Sequence, residues 1–268
     1  MGAISSARSC GAEAAQIWGS NPRSWAHPAA SPSLAREFRS AWREAAIGPL
    51  FLHASYMVNI ASPNPEFRGR SIDLAVATVR LAESVGADGV VVHAGAGGAG
   101  TPRERAVEAA AGSLRAIVDR TSETRLLVEL TAGGLGTVAS NLSQAHELLD
   151  SAAPSARVGL CLDTCHLFAA GYELDTPAGV VGLFAELRRL GLARRLKLVH
   201  ANDSKFGRGE RRDSHDHVGQ GRIGEAGFRA ILSHPAVRRC PVICETPGRL
   251  EDHGRNIAVL RRLAGNTP

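Results

Sequence analysis

Seven short apolar runs punctuate this chain, and six of them end in a residue that can bind a metal. The runs are AQIWGS (15–20), PLFLHAS (49–55), GVVVHAG (89–95), RLLVELT (125–131), VGLCLDT (158–164), LKLVHAN (196–202) and PVICET (241–246). Between them the periodicity becomes that of amphipathic helices near 71–86, 102–120, 139–150, 178–191, 225–234 and 250–264. Strands alternating with helices specify an α/β fold with a parallel sheet, because a chain that re-enters a sheet in the same direction needs a crossover. No proline-rich or low-complexity linker divides the chain, so residues 1–268 read as one domain. That length suits a single TIM (β/α)8 barrel of about 250 residues.

The residues that close the runs are His53, His93, Glu129, Asp163, His200 and Glu245, spaced 34 to 45 residues apart. In a closed barrel all strand C-termini open on one face, where such enzymes keep their active sites. A lone histidine there is ordinarily a satisfied core residue. Six ligand-type residues at equivalent positions have no packing explanation. Three more candidates lie nearby. In CLDTCHLFAAGY, Asp163 and His166 are three apart across the end of a strand, and in DSH the side chains of Asp213 and His215 share one side if the segment is extended.

Five histidines and four carboxylates are too many for one ion and suit two or three. Mixed His and carboxylate ligands fit zinc, with manganese or iron as substitutes. Closely spaced divalent ions, roughly 3.5–4 Å apart, clamp the attacking and leaving oxygens of a phosphodiester. Three such ions outweigh four carboxylates and leave the site positive, a sink for phosphate. A sugar isomerase needs no such surplus.

The formal charge of +5 and a pI near 9.3 favour a polyanionic partner, whereas an aromatic content of 4% argues against broad base-stacking platforms. Five cysteines, an odd number that includes two C-x3-C spacings, argue against both a disulfide framework and a four-thiolate zinc site. No apolar run approaches the ~20 residues of a membrane span and no secretory leader is evident, so a soluble, cytoplasmic protein is expected. Only seven strands can be counted, since the opening residues MGAISSARSCGAEA read as helix. Either the start is placed too late or the barrel keeps an open seam, whose bare edge would be an aggregation liability.

The segments HASYMVN, VHAG, VELTAGG, CLDTCHLFAAGYEL, HANDSK, the D-x-H of RRDSHDHVGQGRIG, and CETPG are together far more specific than any one short motif. Through them the chain resembles the endonuclease IV family of apurinic/apyrimidinic (AP) endonucleases over essentially its whole length. The resemblance implies a xylose-isomerase-like TIM barrel with a trinuclear zinc cluster. His53, His93 and Glu129 would hold the first zinc. Glu129 would bridge to a second, completed by Asp163, His200 and Glu245, which makes Glu129 and Glu245 the catalytic carboxylates. His166, Asp213 and His215 would hold the third.

The activity implied is base-excision DNA repair. The backbone would be hydrolysed 5′ to an abasic site, leaving a 3′-hydroxyl and a 5′-deoxyribose phosphate, and blocked 3′ ends would be trimmed. A metal-bridging hydroxide would attack, and the third zinc would stabilise the departing 3′ oxyanion. The partner implied is double-stranded DNA, bent, with the abasic nucleotide turned out of the stack, and the enzyme is expected to act as a monomer. Arg23 in NPRSW and Tyr56 in HASY match DNA-contacting positions, against the bland readings of a loop arginine and a core-edge tyrosine. Lys205 and Arg208, beside the metal loop, are candidate phosphate contacts. The family's opening strand, with its G-x-H-x-S-like turn, has no counterpart, which removes its DNA contacts but no zinc ligand. His217 reads as a solvated loop residue, and His27, His146, His234 and His253 are given no role.

Two rival readings remain. A xylose-isomerase-like sugar isomerase or epimerase with one divalent metal would use Glu129, Asp163, His200 and Glu245. It would leave His53, His93, His166, Asp213 and His215 idle. A catalytically dead DNA-binding barrel would bind duplex without incising it.

Overall fold

The computed structural model describes residues 2–152 and 156–265, so the two ends of the expected 1–268 domain lie outside the described residues. The strands are β1 (Ala15–Trp18), β2 (Leu50–His53), β3 (Gly89–His93), β4 (Arg125–Glu129), β5 (Val158–Asp163), β6 (Leu196–His200), β7 (Asp203–Ser204), β8 (His215–Asp216) and β9 (Val242–Ile243). Seven of them form one parallel sheet in the order β1-β2-β3-β4-β5-β6-β9, while β7 and β8 pair antiparallel outside it. The helices are α1 (Gly2–Ser9), α2 (Pro32–Glu44), α3 (Pro65–Val85), α4 (Arg103–Asp119), α5 (Leu142–Ser151), α6 (Thr164–Ala169), α7 (Pro177–Arg189), α8 (Gly224–Ser233) and α9 (Leu250–Leu263).

The strands curl into a nearly closed TIM barrel with two apolar layers. Phe51, Val91, Leu127, Cys161, Leu198 and Ile243 fill the barrel interior. Leu52, Val90, Val92, Leu126, Val128, Leu160 and Leu162 alternate with them and belong to the larger core shared with the helices. Side chains alternate with a period of two along a strand. Two residues beyond each interior side chain therefore comes His53, His93, Glu129, Asp163, His200 or Glu245, all on the inner face at the C-terminal rim. The registers His93↔Glu129 and Asp163↔His200 keep neighbouring rim residues level.

The seam expected ahead of the first strand is present. β1 and β9 are the sheet's two edges, and no ladder joins them among the described residues. A cavity of about 870 Å³ lies along it, lined by Ala7, Cys10, Ala14, Ile17, Val242 and Leu260 among others. α1 and α9 cover this edge, and Arg261 of α9 donates to the carbonyl of Gly11 at 2.6 Å, which shields the unpaired strands.

Two helices are additions to the sequence reading. α2 carries Ala35, Phe38 and Trp42 on one stripe and starts at a Ser31 cap followed by Pro32, a start signal legible in the sequence. α6 has six residues, too few for a period to show. No helix among the described residues is long and apolar enough to cross a membrane.

Candidate metal centre

The rim residues meet as three overlapping groups. His53 and His93 place Nε2 at 3.0 and 3.3 Å from Glu129 Oε2. On the other side of the same carboxylate, His200 Nδ1 and His166 Nδ1 lie 3.1 and 3.3 Å from Oε1. Glu129 therefore faces two groups at once, and it is only 1% exposed. The second group adds Asp163, His200 and Glu245, with His200 Nδ1 at 3.1 Å from Glu245 Oε2. In the third, Asp213 lies 3.2 Å from both His166 Nε2 and His215 Nε2. Ligand atoms within each group lie within 4.8 Å of one another. Cys165 approaches Asp163 and His215 similarly, and burial pushes its thiol up to about 11.

Hydrogen bonds on the far side of each ring decide where its lone pair points. His53, His166 and His215 donate Nδ1–H to the backbone carbonyls of Ala54, Leu130 and Glu245, at 2.7, 2.8 and 3.1 Å. Their Nε2 lone pairs then face carboxylate oxygens at 3.0 to 3.2 Å. Two acceptors at that distance repel unless a cation lies between them. A proton can serve, and so can a divalent ion, whose histidine ligands ordinarily donate their other nitrogen to a carbonyl or carboxylate. His215 Nε2 is buried and makes no hydrogen bond. The donor set fits divalent ions.

The electrostatics carry the same mark. Burial alone would raise Glu129, yet the charges of His200 and His93 and hydrogen bonds from His166 and His200 hold it well below the carboxylate range. Glu245 is likewise brought to about 2, chiefly by His200 against its burial. Burial would lower His166 and His215. Instead the charge of Asp163, reinforced by Asp213, raises His166 well above 6.5 and His215 to about 9. These are carboxylates paired to cations across short gaps, the arrangement that a metal takes over by displacing protons.

The chain matches the profile of the xylose isomerase-like TIM barrel family over residues 4–263. It is 41% identical to a "Probable endonuclease 4" of Methanoculleus marisnigri over 98% of this chain and 94% of that protein. The crystal structure of endonuclease IV from Thermus thermophilus superposes with a TM-score of 0.86 at 34% identity, covering 99% of this chain and 94% of that one. The chain belongs to the endonuclease IV family. A D-tagatose 3-epimerase-like protein, 17% identical with a TM-score of 0.74 over 94% of this chain and 88% of its own, shares the fold alone.

Around the centre of this endonuclease IV family member, the expected DNA contacts fall in different surroundings. Tyr56 is 56% exposed at the rim, 4.8 Å from the Trp18 ring, which in turn lies tilted against His53 at 4.7 Å. Arg23 is exposed in the neighbouring loop, whose Pro22 and Ser24 carbonyls accept from Ser55 Oγ. Lys205 is exposed where β7 leaves the barrel. Arg208 is turned aside, 3.4 Å from Glu173 and 3.7 Å from Asp175.

Four residues outside the sequence-derived set hold the centre in place. Asn202 donates to Asp163 at 2.6 Å and accepts the Glu245 N–H at 2.7 Å, and Thr164 Oγ donates to the Asn202 carbonyl at 2.6 Å. Gln16 lies between His200 and Glu245. Asp203, fully buried, accepts five backbone N–H groups, from Ser204, Gly219, Gly221, Ile223 and Gly224, at 2.8 to 3.2 Å. Gly221 is required there, because a Cβ would sit 2.5 Å from both Asp203 Oδ1 and the Ser204 carbonyl. The glycines of HVGQGRIG were the available signal for this cradle. His217 departs from the solvated side chain expected: it is half-buried and meets the Asn256 amide at 3.0 Å, which pins the loop to α9.

Proposed function

We propose that this chain is a metal-dependent AP endonuclease of DNA repair. It incises duplex DNA 5′ to abasic sites, leaves a 3′-hydroxyl and a 5′-deoxyribose phosphate, and trims blocked 3′ ends. The observation that carries the reading is the convergence of His53, His93, Glu129, Asp163, His166, His200, Asp213, His215 and Glu245 into three adjoining groups, two of which share Glu129. A single-metal isomerase would use only Glu129, Asp163, His200 and Glu245 and would leave five ligand-type side chains, four of them histidines, around no ion.

Bound in these groups, three zinc ions, with manganese or iron as substitutes, would supply an activated water and neutralise charge on the phosphate. The chain's own residues set the positions. Glu129 keeps the first two groups in register, and Asp163, 3.6 Å from His215, ties the second to the third. With ions bound, His53, His166 and His215 would have both nitrogens committed, one to a carbonyl and one to an ion, leaving none free to shuttle a proton. Tyr56, Arg23 and Lys205, all exposed, would serve as DNA contacts, the first two at the damaged nucleotide and Lys205 at a phosphate. Arg208 would join them only by leaving Glu173 and Asp175. We take the chain to work as one domain and one monomer in the cytoplasm.

The test is incision of a duplex bearing one tetrahydrofuran abasic analogue, together with metal analysis. Incision with an extendable 3′-hydroxyl, lost on chelation, and about three ions per chain are expected. Duplex binding without incision by metal-loaded protein would overturn the reading, as would one ion per chain.

A further inference from the structure

The seam between β1 and β9 has no main-chain hydrogen bonds among the described residues, yet one side chain spans it. Gln16 of β1 donates its amide Nε2–H to Glu245 Oε1 at 2.5 Å, just past β9. Its Oε1 accepts Nε2–H from His200 at 3.0 Å, at the end of β6. The orientation of this amide follows from its partners. A carboxylate only accepts, so the NH2 must face Glu245, the carbonyl must face His200, and the His200 proton must sit on Nε2. In the neutral ring His200 Nδ1 is then the lone pair, 3.1 Å from both Glu129 and Glu245.

We propose that Gln16 is the positioning residue of the second metal group. Through one amide it fixes the tautomer of His200 and the setting of Glu245, and it bridges the two edge strands where the sheet has no ladder. The other rim histidines draw their second-nitrogen partner from a backbone carbonyl where one is seen, whereas His200 Nε2 meets the Gln16 side chain. The proposal rests on the metal reading of these groups.

The experiment compares wild type with Gln16→Met, which keeps size but neither donates nor accepts at both ends, and with Gln16→Glu, which can accept from His200 but sets a carboxylate against Glu245. Zinc is titrated away with a chromophoric chelator, thermal unfolding is recorded for the metal-free proteins, and the His200 tautomer is read from its ring nitrogen shifts. Wild type should hold Nε2–H on His200. Gln16→Met should lose that tautomer preference and hold one ion of three about 10- to 100-fold more weakly, the other two unchanged. Gln16→Glu should hold that ion more weakly still.

An Nδ1–H tautomer in wild type would overturn the proposal without any variant. So would Gln16→Met retaining all ions at wild-type affinity, or loosening all three equally together with a lower unfolding temperature, which marks a purely structural role. Wild type that binds no zinc would instead sink the metal reading, and this proposal with it.

Discussion

The two halves of the centre are fastened differently. His53, His93 and Glu129 stand on adjacent strand ends, where ladder registers and the interior layer beneath fix them with no dedicated device. His166, Asp213 and His215 stand past the barrel, on a short helix and a loop, and Asp213 is 54% exposed. That loop is closed by the two-residue pairing of β7 with β8 and by the Asp203 carboxylate with its five N–H donors. A sheet can hold ligands by periodicity; a loop needs a buried charge. The loop-borne half should therefore be the one that can be broken alone.

The largest effect belongs to the carboxylate that two of the three groups share. Glu129→Gln should cut incision by at least about a thousandfold, the scale of removing a preorganised electrostatic anchor, while duplex affinity stays within a few-fold. Single-turnover incision alongside an anisotropy titration would show this, and unchanged turnover would remove Glu129 from its role.

Asp203→Ala tests the fastening itself. Five donors, two buried and three half-buried, lose their acceptor at about 1–3 kcal/mol for each buried group left unpaired, so the loop should detach rather than bear the cost. Ions per chain should drop from three to two, new proteolytic cuts should appear between Lys205 and Ser214, and the strand-borne half should keep its metal. Loss of all three ions would show that the halves are not independent.

A smaller effect separates them by pH in metal-free protein. His215 is held protonated, its ordinary value of 6.5 raised to about 9, and His166 is raised as well. Their pairing with carboxylates stabilises the fold fully below pH 6.5 and is lost as pH climbs through 9. Asp213, held well below its ordinary 3.8, contributes above that value and gives way only in strong acid. The unfolding temperature of the metal-free protein should thus fall from pH 6.5 towards 9. Asp213→Asn should flatten the slope, and zinc-loaded protein should lack it. A metal-free profile flat over that window would contradict the ion pairing.

The smallest effects lie at the rim. Lys205→Ala should weaken duplex binding roughly equally for damaged and intact DNA and lower the salt slope by about 1. Tyr56→Ala, beside the strand-borne half, should lower incision of abasic DNA more than binding of intact duplex. Equal effects of the two variants on both substrates would erase the distinction along the rim.

Much of this was legible before any coordinates. The runs ending in His53, His93, Glu129, Asp163, His200 and Glu245 specify parallel strands, and their period of two puts each ligand on the interior face at one end. Missing from that reading were α2, although Ser31, Pro32 and the Ala35–Phe38–Trp42 stripe announce it, and the pairing of Arg208 with Glu173 and Asp175. Missing too were Asp203 as a fastening and Gln16 as a bridge.

Which faces carry the ligand-type side chains is written in the order of residues, because side-chain alternation is a local property of extended backbone. Which nitrogen of each ring carries a proton, and which side chain restrains it, is settled only by folding. Those bonds join groups far apart in the chain, 229 residues in the case of Gln16 and Glu245, and they exist only once the strands have curled until β1 and β9 face each other.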